Sequence, residues 1–129
     1  MHPDNGIGAD ELTWFWDVVR QAGRSRDRLR AALARLDRAE IHRFQDIFVE
    51  LATELQDEPY TAHVDADESE DGVEDIANWV VSQGCATYEQ VLGNPRLMPS
   101  HVDVGAPDNL FSVAYEVFFE RFGEPLDVM

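Results

Sequence analysis

Apolar residues recur along this chain at intervals of three and four, the period of a helix, and no stretch alternates long enough to argue a strand. Between Ser69 and Gly84, Val73, Ile76, Ala77 and Val80 fall on one face, and Trp79 widens the stripe. Ser69 suits the N-cap of this helix, the acids after it suit the positive end, and Gly84 stands where a left-handed C-cap belongs. Upstream, Leu12, Phe15, Trp16 and Val19 share a face of a helix capped by Asp10 and ending near Gly23. Ser25 opens a second helix with the stripe Leu29, Ala32, Leu33 and Leu36. Asp37, with Glu40 three residues on, makes a capping box for a third, whose apolar positions are Ile41, Phe44, Phe48, Leu51 and Leu55.

Pro59 stops the third helix, and residues 58–68 form an acid-rich connection. After Gly84 a shorter helix spans Thr87 to Leu92, closed by Gly93-Asn94-Pro95, and the Pro- and Gly-containing residues 95–107 read as an irregular loop. Asp108 is placed to cap a last helix running to about Phe122. That helix carries Leu110, Phe111, Val113, Ala114, Val117, Phe118 and Phe119, which leaves little polar surface. Such a helix is a central core element, or one with a face such as Phe119 covered by a second subunit or partner. The expected fold is all-α: residues 1–9 as a flexible arm, and residues 10–129 as a single-domain bundle of about five to six helices with an irregular loop before the last.

A chain of 129 residues with 44% hydrophobic content supports one core of this kind. Its net charge of -16 opposes binding to phosphate backbones, so no nucleic-acid partner is expected. Residues 20–43 stand against that trend with a local balance of about +5, all of it arginine. These arginines are expected to pair with acids elsewhere, within the molecule or across a self-contact. No apolar run reaches membrane-span length and no basic-then-apolar leader opens the chain, so the expectation is a soluble, cytoplasmic protein.

Candidate chemistry is sparse. Cys85, the one cysteine, lies between two helices, and a thiol at a helix N-terminus can become a nucleophile, but no histidine stands at a matching spacing. A structural thiol is the plainer reading. Asp67, Ser69 and Asp71 fit the first positions of a calcium loop, which then fails because Asn78 replaces the bidentate glutamate. No phosphate loop, dinucleotide fingerprint or His-Glu-x-x-His pattern occurs, and no cofactor is expected. What remains is a non-catalytic module acting through a protein partner or self-association. The alternatives are a small enzyme with a pocket around Asp71, Trp79 and Cys85, and an acidic immunity protein or inhibitor of a basic toxin.

Several segments together resemble the bacterial domain-of-unknown-function family 4240. They are Glu11-Leu12-Thr13-Trp14-Phe15-Trp16, Ile41-His42-Arg43-Phe44, Ser69-Glu70-Asp71-Gly72-Val73, Trp79-Val80-Val81-Ser82-Gln83-Gly84, Asn94-Pro95 and Gly123-Glu124-Pro125. The chain departs from the usual pattern at Glu58-Pro59-Tyr60, in place of an aromatic-Gly-small stretch, and at Ala66-Asp67-Glu68, in place of Gly-Gly-Cys. The resemblance implies a helical fold and a bacterial source, and it implies no activity.

Overall fold

A computed structural model describes residues 7–65, 67–103 and 105–128. The described residues form one all-α domain of six α-helices: α1 (Ala9–Ala22), α2 (Arg26–Leu33), α3 (Arg38–Glu54), α4 (Glu70–Ser82), α5 (Cys85–Gly93) and α6 (Val113–Phe122). Short 3-10 turns at Tyr60–His63 and Pro95–Leu97 fall in the two stretches read as connections. Most of the expected N-terminal arm lies outside the described residues.

Local signals set most helix ends. Ser25 Oγ accepts the Arg28 N–H, the reciprocal capping box of Asp37 and Glu40 is present, and Ser69 Oγ accepts the Gly72 N–H at 3.1 Å. Gly23 ends α1 in the left-handed conformation, and Arg24 follows with φ 63°, so the chain reverses within two residues.

Three boundaries differ from the sequence reading. The N-cap of α1 is Gly8, and Asp10 sits within the first turn. Gly84 has φ 110° and ψ 175°, so it is an extended link open only to glycine and not a left-handed cap, and α5 begins directly after it at Cys85 instead of Thr87. Asp108 caps no helix. Its carboxylate is taken by the Trp79 indole N–H (3.1 Å) and by Gln83 Nε2 (3.2 Å), while Ser82 Oγ accepts the Leu110 N–H at 2.8 Å. With Asn109 Nδ2 donating to Asp75 O at 3.3 Å, four donor–acceptor pairs hold residues 108–110 against α4 and its C-cap Gln83, and coiling waits until Val113.

The core centres on α3, whose Ile41, Phe44, Ile47, Phe48 and Leu51 are fully buried. Phe15 packs on Phe44 with ring centroids 4.9 Å apart, and Phe48 reaches Phe111 at 5.5 Å. Helix α6 is not the central element: it buries Val113, Ala114, Val117 and Phe118 and leaves Phe119 58% exposed.

The arginine-rich segment is largely neutralised inside the molecule. Arg30 pairs with Glu116 and Glu120, Arg38 with Glu124 while lying over the rings of Phe118 and Phe122, and Arg43 with Glu11 and Asp46. Exposed pairs of this kind each contribute about 0–1 kcal/mol. Their larger effect is to spend the cationic face of α2 on α6.

Candidate functional site

A groove of about 870 Å³ lies between α1 and the junction of α4 with α5. Trp14, Trp16 and Val19 line it from α1, and Ser82, Gly84 and Cys85 from the junction. Asp17, Arg20 and Arg24 add charge. The consecutive left-handed residues Gly23 and Arg24 turn the chain so that Arg24 Nη1 donates to Gln83 Oε1 at 3.4 Å. Gln83 and Trp79 both donate to Asp108, so one polar relay ties the α1–α2 reversal, the end of α4 and the segment before α6 together behind the groove.

Cys85 is exposed on the groove wall. Burial of its surroundings, and secondarily the Glu89 carboxylate, pushes the thiol above its ordinary range, against the lowering a helix N-terminus would give. No histidine lines the groove among the described residues. This arrangement can receive an apolar group and flank it with charge; it does not present an activated nucleophile.

The residues singled out from sequence are dispersed. Cys85 lines the groove, and Trp79 stands half-buried behind it, linked through Asp108 and Gln83. Asp71 is exposed in the first turn of α4, roughly 18 Å along the helix from Gln83. Phe119 lies on α6 and lines none of the cavities described. Of the calcium candidates, Ser69 Oγ is engaged in capping, and Asp67 and Asp71 are exposed and join no cluster of metal-ligating side chains among the described residues.

A cluster does form beside them. Ligand atoms of Asp65, Glu68 and His101 lie within 4.8 Å of one another. The Asp65 N–H donates to Ser100 O at 3.0 Å, which fastens the two segments, and Glu68 Oε2 meets His101 Nδ1 at 3.0 Å. Glu68 crosses the first turn of α4 over Gly72, where a Cβ would collide with its carboxylate. The hydrogen bond that His101 donates to the Glu68 carboxylate raises the His101 pKa. Sequence reading passes over His101 because its partner stands 33 residues away. The groove has one sequence signal, Trp14, an apolar residue outside the stripe of Leu12, Phe15, Trp16 and Val19.

The described residues thus form a single all-α domain with a prominent groove and a separate surface cluster of histidine and carboxylates. It belongs to the family described as protein of unknown function (DUF4240), whose model matches residues 11–123, nearly the whole chain. No curated protein and no solved structure matches it. Among the described residues no helix is long and apolar enough to cross a membrane.

Proposed function

We propose that this chain is a non-catalytic protein-interaction module of the bacterial cytoplasm, and that the groove between α1 and the α4–α5 junction is its contact surface. The observation that carries the reading is the pairing of two groove-lining indoles with flanking arginines, residue types that concentrate in binding hot spots. The volume of about 870 Å³ falls in the range of groups that proteins bind in clefts. The occupant is an apolar side-chain cluster on a basic partner, because a net charge of -16 speeds encounter with cations and slows it with anions. An inhibitor of a basic toxin is a special case of this reading. An enzyme built on Asp71, Trp79 and Cys85 has less support, since the thiol is held protonated and Asp71 stands about 18 Å away along α4.

The test compares tagged wild-type chain with Thr13→Arg and Ala86→Arg, two exposed positions that line the groove. A basic protein retained by the wild type should be lost from both variants, and purified partner should bind less tightly as salt rises. Retention equal across all three chains would refute the groove. A second copy of this chain as the only groove-dependent species would turn the reading to self-association.

A further inference from the structure

We propose that Asp65, Glu68 and His101 form a binding site for a first-row divalent transition ion, with water completing the coordination. The proposal is independent of the groove and stands on donor chemistry, spacing and support. One imidazole nitrogen with two carboxylate oxygens matches the preference of Zn²⁺ and Mn²⁺, and it differs from the all-oxygen cage that Ca²⁺ takes. Ligand atoms around an ion at about 2.1 Å stand roughly 3–4 Å apart. The three ligand atoms already lie within 4.8 Å, so small rotations of side chains at the surface close the set.

The support is built into the backbone. The Asp65 N–H to Ser100 O bond fixes Asp65 against the segment bearing His101, and the Glu68 N–H to Asp65 O bond ties the two carboxylate-bearing residues together. Gly72 leaves the space in which the Glu68 side chain lies. Two carboxylates balance the charge of a divalent ion. Among the described residues no arginine pairs with either, although arginines neutralise the acids of α6.

Titration calorimetry of the full chain with Zn²⁺ alone, in a Cys85→Ser background, tests the assignment. One saturable site is expected, weakened tenfold or more by His101→Asn and by Asp65→Asn and unchanged by His63→Asn. Gly72→Ala removes no donor and should also weaken binding, because its Cβ displaces the Glu68 carboxylate. Substoichiometric Mn²⁺ should broaden amide signals of residues 65–68 and 100–101 first. Absence of saturable binding would reduce the cluster to an exposed ion pair, and binding indifferent to His101→Asn would place the ion elsewhere. Displacement of Zn²⁺ by equimolar Ca²⁺ or Mg²⁺ would leave only diffuse acidic attraction. Each of these three results overturns the proposal.

Discussion

Replacing Asp108 by alanine separates two accounts of the segment before α6. In the structure its carboxylate accepts from the Trp79 indole at 3.1 Å and from Gln83 Nε2 at 3.2 Å, and all three residues are half-buried. A hydrogen bond to a charged group contributes about 1.5–3 kcal/mol, and partial exposure holds each of these two near the lower end. Asp108→Ala should therefore cost about 2–3 kcal/mol, measured by urea unfolding. For a domain of this length, that lowers the midpoint of thermal unfolding by about 7–11 °C. Loss of an N-cap would cost about 1 kcal/mol, and asparagine would cap as well as aspartate. Asp108→Asn is accordingly the sharper variant. As an acceptor for two donors it should lose about 1 kcal/mol, because its amide faces that of Gln83 and the charge is gone. The indole N–H resonance of Trp79 should move in both variants. A cost below 1 kcal/mol for alanine, with asparagine equal to the wild type and the indole signal unmoved, would refute the relay.

Phe48 is fully buried beside Phe15, Phe44 and Phe111, so Phe48→Ala should cost about 3–5 kcal/mol in denaturant unfolding, a large part of the total stability of a domain this size. Gly84→Ala should cost about 1–3 kcal/mol from backbone strain alone, since φ is 110° and no atom lies near the added methyl. Gly93→Ala, in an equally open setting without positive φ, should be neutral or slightly stabilising, and equal effects at the two glycines would contradict the strain argument. Glu50 has a buried, unpartnered Oε2 and a pKa raised first by burial and then by Asp46. A raised carboxyl favours the fold when protonated, so its contribution is present at low pH and lost as pH rises through the folded value. Glu50→Gln, which also relieves repulsion from Asp46 and Glu54 one turn either side, should stabilise by about 0.4–1 kcal/mol at pH 7. The gain should vanish near pH 4, and a gain constant with pH would exclude the electrostatic cause.

What could be read from the sequence follows the range of the interaction responsible. Ser25, the Asp37–Glu40 box and Ser69 cap where expected because each cap joins residues within three of one another. The buried stripes of α3 and α4 follow from the helical period in the same way. The end of α4 and the start of α6 depart from the sequence expectation for two different reasons, one local and one non-local. Asp108 has the residue type and position of an N-cap, yet donors from α4 reach its carboxylate first, and the Ser82–Leu110 bond holds the chain uncoiled until Val113. Gly84 fits a C-cap by pattern, but α5 starts one residue later, and only an extended glycine permits so abrupt a link. The groove and the histidine–carboxylate cluster obey the same logic. Trp14 and Cys85 line one groove, and Glu68 meets His101, across separations that no local spacing rule covers. The acidic run at residues 65–75 was visible as charge; which of its members gather was decided by where Ser100 binds the Asp65 backbone. Substitution of Ser82 should therefore alter this fold more than its modest side chain suggests, because its hydroxyl sets the path of a distant segment, and urea unfolding of Ser82→Ala measures that cost.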